Sequence, residues 1–453
     1  FEGITRTVTA GANGTWTANW TAAEVRPGSY ASTVQVSASD AAGNTASTSY
    51  QINVDTEVNP FQRSTLSTGS DQIVNAVEAA AGLTVTGIVE AGSTVIVRFG
   101  SGQSRTATVG ADGKWTLTIP AGDIPAGENN VTLTATATDR VGNVSTLTET
   151  VRVDTTVVNF AMTSGRIGGD SILNASEVAA GLTLTGTSEV GATVVVRLAS
   201  GASRTVTVGA DGNWSATFSA ADLPRGEATS AVTVTATDIA GNTSSLSQNF
   251  TVDTVAPANP WITNDAGTGN QISGIAIDAR AGDVDYFTVG PNGAVAEVIP
   301  QVKFASEVNV DGQTVPSDWA FFPTPVQDGT YLVIRDQDAA GNESSTLYIR
   351  NTTGEVTVDL NRSGLAQFDF GTIDLTAADA NLTLTEAQIL RLAGADKQLT
   401  ISGDTDDQVN LVGGTYTGTT QVVNGETLKL YLVGSAGASV LIDDDITVNT
   451  SGV

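Results

Sequence analysis

Residues 138–143 read TDRVGN, and the chain returns to this acidic turn at a fixed interval. Residues 39–44 read SDAAGN, residues 237–242 TDIAGN and residues 337–342 QDAAGN. The aspartates Asp40, Asp139, Asp238 and Asp338 follow one another at steps of 99, 99 and 100 residues. The register extends far beyond the turn. GADGKW (110–115) matches GADGNW (209–214) and GANGTW (11–16), and the 28 residues from 71 match those from 170 without a gap. A period of this length is satisfied only by a tandem array of units sharing one fold.

Within a unit the pattern is all-β. LTVTG, STVIVRF, SRTATVG, KWTLTIP, NVTLTATATD and STLTETVRVD are rich in Val and Thr and mostly alternate apolar with polar residues. Gly, Asn and Asp punctuate them. Six or seven short strands in about 100 residues fit an immunoglobulin-like sandwich. One segment departs from the pattern. In NAVEAAAG, Asn75 with Glu78 three residues on forms a capping box, which predicts a short helix between the first two strands. The same signal recurs at Asn174 and Glu177.

The whole chain has 453 residues, which suits four or five such units. Its 40% hydrophobic content is enough for folded domains, and no run of eighteen apolar residues marks a membrane span. The opening FEGITRTVTA has neither a signal peptide nor an initiator Met, so the chain reads as a fragment or a processed piece. With 48 acidic and 20 basic residues the net charge is -28. Such a surface repels nucleic acid and attracts cations. Cysteine is absent, so joints stiffened without disulfides call for another device, and a metal ion is the obvious one.

The combination of GTSEVGATVVV, GADGNWSATF, VTVTATDIAGN and FTVDT resembles the bacterial immunoglobulin-like repeats of large secreted adhesins and biofilm-associated proteins. The resemblance covers residues 1 to about 350. It implies a protein of the bacterial cell surface or medium, exported by the type I route, whose repeats form a stalk. Residues 1–56 hold only the second half of a repeat, residues 57–155 and 156–255 are full repeats, and residues 256–351 are a divergent one. Residues 352–453 change character. They predict a mostly-β domain with one amphipathic helix near 384–393, and they resemble the C-terminal segments of calcium-dependent, type I-secreted adhesins.

In a sandwich of this kind the TDRVGN turn joins the last two strands and lies at the same end as the turn carrying Glu90. The residue closing the preceding repeat arrives there too. The spacings are fixed: Asp55 to Glu90 and Asp154 to Glu189 are each 35 residues, and Asp55 to Asp139 and Asp154 to Asp238 are each 84. Three carboxylates from three segments thus converge at each joint, and no Lys or Arg recurs at these positions. Converging carboxylates repel unless a cation lies between them, and an oxygen-only set suits Ca2+. The expected ligands are Asp55, Glu90 and Asp139 at the first joint, then Asp154, Glu189 and Asp238 at the second. At the third they are Asp253 and Asp338, with Asp278 or Asp283 in place of the Glu. Turn chemistry alone is the other reading, because D-x-x-G-N is a good turn sequence in its own right. Asp71, Asn75 and Glu78 fit a capping box better than a second metal site. Asp404, Asp406 and Asp407 fit a calcium loop and a solvated acidic turn equally well.

Trp16, Trp115 and Trp214 recur at one strand position and read as packing residues rather than a sugar platform. Trp319, Phe321 and Phe322 lie where the repeat pattern breaks, and packing under a long loop is the expectation there too. Without His there is no Ser–His or Cys–His pair, and no zincin motif or phosphate loop is present. A carboxylate pair needs a cleft that narrow sandwiches do not supply, so the chain does not read as an enzyme. The expected role is a structural stalk. A glycan- or protein-binding module in residues 257–453 is the first alternative. The second is a filament subunit whose half repeat is completed by strands of a neighbouring copy.

Overall fold

The computed structural model describes residues 1–279, 284–310, 312–394 and 396–451. The protein is all-β, a row of immunoglobulin-like sandwiches followed by a mostly-β C-terminal region with one short helix. In the first full repeat one sheet orders Ile73–Val74, Val144–Asp154, Glu128–Thr138, Thr94–Phe99 and Arg105–Thr106. The facing sheet orders Phe61–Leu66, Leu83–Val89, Lys114–Ile119 and Thr108–Val109. Alternation places Leu83, Val85, Val95, Val97, Phe99, Leu133, Ala135 and Val153 inward, all of them buried. The second full repeat follows the same plan.

Trp115 and Trp214 are core residues, 1% and 3% exposed. Each ring lies over a glycine of the neighbouring strand, Gly87 opposite Trp115 and Gly186 opposite Trp214. A Cβ at either glycine would fall inside the ring's van der Waals envelope. The capping boxes form as the sequence predicts. Asn75 opens α1 (Ala76–Ala81) and accepts from the N–H groups of Val77 and Glu78, while Asn174 opens α2 (Ala175–Ala180).

The half repeat has one long hairpin, Ser29–Ser39 with Thr45–Asp55, and none of residues 1–53 is buried. Trp16 is 49% exposed where its counterparts are buried. In each full repeat a short strand runs parallel to the last strand, Ile73–Val74 beside Arg152–Val153 and Ile172–Leu173 beside Thr251–Val252.

Beyond residue 256 the architecture changes more than the sequence suggests. Ile262–Thr268, Gln271–Asp278, Gln313–Val326 and Val302–Val310 form one sheet of the divergent repeat. Its other sheet does not end at the expected boundary of 351. The strand Glu343–Val358 runs through that boundary and pairs in parallel with Phe370–Leu384. Parallel strands continue the stack: Gln398–Ser402 and Gln408–Val412, then Ala438–Asp443 and Thr447–Ser451. The wall is threaded by an asparagine ladder. Asn410 Nδ2 donates to Asn381 Oδ1 at 2.7 Å, and Asn449 Nδ2 donates to Asn410 Oδ1 at 3.1 Å. α3 (Glu386–Leu392) caps the stack with Ile389 and Leu392 buried. No helix among the described residues is long and apolar enough to cross a membrane.

Candidate metal sites at the joints between repeats

At the first joint three segments deliver one carboxylate each. Asp55 ends the strand Thr45–Asp55, Glu90 follows Leu83–Val89, and Asp139 follows Glu128–Thr138. One oxygen from each lies within 4.8 Å of the others. Two ligands on opposite sides of a calcium ion, each about 2.4 Å from it, stand about 4.8 Å apart, so the spacing admits a shared ion. The turn holds Asp139 rigidly. Its Oδ1 accepts from the N–H groups of Val141, Gly142 and Asn143 at 2.9, 2.7 and 2.8 Å, and its Oδ2 accepts from Asn143 Nδ2 at 2.7 Å. Burial acts upward on this carboxyl, but the bonds from Asn143, Gly142 and Val141 outweigh it and hold the group ionised below its ordinary range.

The second joint repeats the convergence with one change of partner. The group within 4.8 Å is Glu128, Asp154 and Glu189. Asp238 lies behind it, buried, with Oδ1 accepting from Asn242 N and Oδ2 from Asn242 Nδ2, each at 2.8 Å. Glu128 is the residue the spacing argument missed. It stands opposite Asp154 in the antiparallel register, and its side chain reaches the same point. Its counterpart in the half repeat is Ser29, whose hydroxyl donates to Asp55 at 2.8 Å. A carboxylate at this position recurs only as Glu227, opposite Asp253, and that two-member recurrence was the available signal.

The electrostatics of the second joint favour a cation. Asp154 is 2% exposed, and burial, then repulsion from Asp238, pushes its carboxyl above the ordinary value. Glu189 is pushed up by burial first. The N–H of Val158 opposes this, while Asp154, Asp238 and Glu128 add to it. The positive charge within salt-bridge reach of Asp154 is Arg152, at 3.6 Å and half exposed. All donors are oxygens, so the residues present fit Ca2+.

The expected third set does not come together among the described residues. Asp338 holds its turn as Asp139 does, accepting from Ala340 N and Asn342 N at 2.8 and 2.9 Å. Asp253 accepts from Val255 N at 3.1 Å. Asp278 is buried at the end of Gln271–Asp278 and lines a cavity of about 240 Å³ with Trp261, Asp374 and Ser402. Asp283 lies outside the described residues. Burial pushes Asp374 up to about 6.

Asp404, Asp406 and Asp407 also lie within 4.8 Å of one another. Asp407 is buried and occupies both oxygens with backbone donors, Ala380 N and Asp404 N, each at 2.9 Å. That anchors the turn to the parallel stack. Burial pushes Asp407 up to about 7. Of the aromatic trio, Phe322 is a core residue. Trp319 and Phe321 lie on the outer face and stack at 5.3 Å, and Phe304, about half exposed, stacks on Phe321 at 5.9 Å.

No curated protein matches the chain. Among solved structures, a 1.5-MDa bacterial ice-binding adhesin is 22% identical, covering 64% of this chain and 96% of its own, at a TM-score of 0.34. A Ca2+-stabilised adhesin by which an Antarctic bacterium binds ice is 27% identical, covering 76% and 86%, at 0.33. A tetra-tandem repeat from the extending region of a large adhesion protein is 20% identical, covering 71% and 81%, at 0.26. Residues 71–154 and 174–253, the bodies of the two full repeats, match the bacterial Ig domain family.

Proposed function

We propose that the chain is a segment of an extracellular stalk in a bacterial surface adhesin or biofilm-matrix protein, with Ca2+ stiffening the joints between its Ig-like repeats. One observation carries this reading. Three carboxylates from separate segments, one of them buried, converge at each of two successive joints, in both cases within 4.8 Å. A bound divalent cation would supply charge neutralisation and tie the preceding strand end to two turns of the next repeat at the first joint, and to the Glu189 turn at the second. The ligands we assign are Asp55, Glu90 and Asp139, and then Asp154, Glu189 and Glu128, with Asp238 behind them. Titration calorimetry of the whole chain, stripped with chelator, tests the assignment. Asp55→Asn and Asp154→Asn should each abolish a different portion of the calcium heat. No calcium heat in the parent protein overturns the reading.

A binding role for residues 257–453 is a second reading, favoured by the aromatic row Phe304, Phe321 and Trp319 on an outer sheet face. The corresponding strands of the regular repeats turn Lys114, Thr116 and Thr118, and Asn213, Ser215 and Thr217, outward. A glycan array probed with the chain and with Trp319→Ala tests it: equal signals from both exclude this row as a sugar platform.

A further inference from the structure

Asn242 does more than close its turn. Its Nδ2 donates to Asp238 Oδ2 within the turn and to the Asp154 carbonyl of the preceding repeat, each at 2.8 Å. Its Oδ1 accepts the N–H of Ala76, the first residue of α1 in that preceding repeat, at 2.8 Å. Beside it, Asn75 Nδ2 donates to the Ala240 carbonyl at 3.1 Å. The arrangement recurs one step on. Ala175 N donates to Asn342 Oδ1 at 2.8 Å, Asn174 Nδ2 to Ala340 O at 3.1 Å, and Asn342 Nδ2 to the Asp253 carbonyl at 3.0 Å. The first N–H of a helix has no acceptor within the helix, so the contact satisfies a donor that would otherwise need water. Burial follows the contact: Asn242 and Asn342 are 7% and 5% exposed, whereas Asn44, with no such helix against it here, is exposed.

We propose that this pair of hydrogen bonds is a metal-independent latch that sets the direction in which one repeat leaves the previous one. Its partner in each case is an Ig-like repeat whose helix opens Asn-Ala. The latch and the carboxylate group divide the work of the joint. The latch fixes orientation in any ionic condition. The carboxylate group, on the calcium reading above, determines how stiffly that orientation is held. Chelation at the second joint then leaves a hinge about the Ala76–Asn242 and Asn75–Ala240 hydrogen bonds rather than a loose tether. The third joint has the latch but no three-carboxylate group among the described residues, so its orientation rests on the latch and on the packing of its linker.

Ala76→Pro tests the latch directly. Proline is well tolerated at the first helical position, and Asn75 already has the extended backbone that precedes proline, with φ -85 and ψ 178. The variant removes the N–H that reaches Asn242 and leaves the Asn75 cap on Val77 and Glu78. Ala76→Ser keeps the N–H and is the control. The chain has no cysteine, so Thr116→Cys and Ser215→Cys, exposed and equivalent in the two repeats, give clean spin-label sites for pulsed dipolar spectroscopy on the whole chain. In chelator, Ala76→Pro should broaden the inter-repeat distance distribution, with a roughly fivefold fall in the ratio of docked to undocked joints. Ala76→Ser should not. In calcium the proline variant should move towards the parent distribution. Asn75→Asp, which keeps the cap and removes the donor to Ala240, should broaden the distribution in chelator as well, and it serves if the proline variant fails to fold by circular dichroism. Unchanged distributions in chelator, or equal broadening by the serine control, overturn the latch. Failure of the calcium reading shows separately, as a parent distribution indifferent to calcium.

Discussion

Trp115 lies directly over Gly87, its partner in the antiparallel register, and the backbone of Gln62 closes the other side of the notch. The fit leaves no room for a methyl group. Gly87→Ala should destabilise the first full repeat by about 1–3 kcal/mol through overpacking. Gly122→Ala, in the same repeat with open space at its Cβ, should be neutral or nearly so. Chemical denaturation followed by tryptophan fluorescence checks the pair.

Calcium should raise the unfolding temperature of the full repeats. A ligand that binds only the folded state at about 100 times its dissociation constant adds about 2.7 kcal/mol. Scanning calorimetry in calcium and in chelator should therefore differ by several degrees, and magnesium should substitute poorly because it demands a smaller six-coordinate shell. Superimposable traces would rule out the joint sites.

Asp154→Asn keeps the shape of a 2% exposed side chain and removes one charge from the second joint. Both neighbouring sandwiches should still fold, since their cores lie elsewhere. In calcium, small-angle scattering should show a broader distance distribution than the parent. Glu128→Gln should shift it in the same direction, and Glu149→Gln, on the same sheet but away from the joint, should not.

The pH dependence has a definite sign. Asp154 and Glu189 are pushed up, by burial first, so in metal-free protein their folded-state protons bind more tightly than in the unfolded chain. Their contribution to stability is present at low pH and lost as pH rises through the folded values. In chelator, lowering the pH from neutral into the range where these two carboxyls take up protons should tighten the second joint, and Asp154→Asn should flatten that response. In calcium the trend reverses, because protons compete with the ion for the same oxygens. Spin-label distance widths across pH, with and without calcium, measure both.

Much of the fold was legible because a repeat states its own boundaries. The 99-residue step, the alternating Val/Thr segments and the Asn75–Glu78 box lead to tandem sandwiches with a short helix. The parallel stack after residue 343 was not legible, since apolar alternation such as that around Leu382 and Leu384 is the same in parallel and antiparallel strands. The sites divide in the same way. Recurrence pointed to Asp55, Glu90 and Asp139 as a group, and one oxygen of each lies within 4.8 Å of the others. Glu128 was missed because its importance depends on cross-strand register with Asp154, and its counterpart Ser29 breaks the recurrence. The second role of Asn242 was hidden for a related reason: its partner Ala76 is 166 residues away and contributes only a backbone N–H.

The parallel pairs Ile73–Val74 with Arg152–Val153, and Ile172–Leu173 with Thr251–Val252, have a mechanical consequence. Tension along a string of repeats pulls the entering segment one way and the departing strand the other. Bonds between parallel strands loaded from such opposite ends are strained in shear and share the load, whereas a hairpin pulled from its open end peels one bond at a time. Each full repeat therefore carries, near the end facing the next repeat, a small patch that resists extension as a unit. For a tether in flowing water, survival under load depends on the rate at which that patch gives way rather than on equilibrium stability.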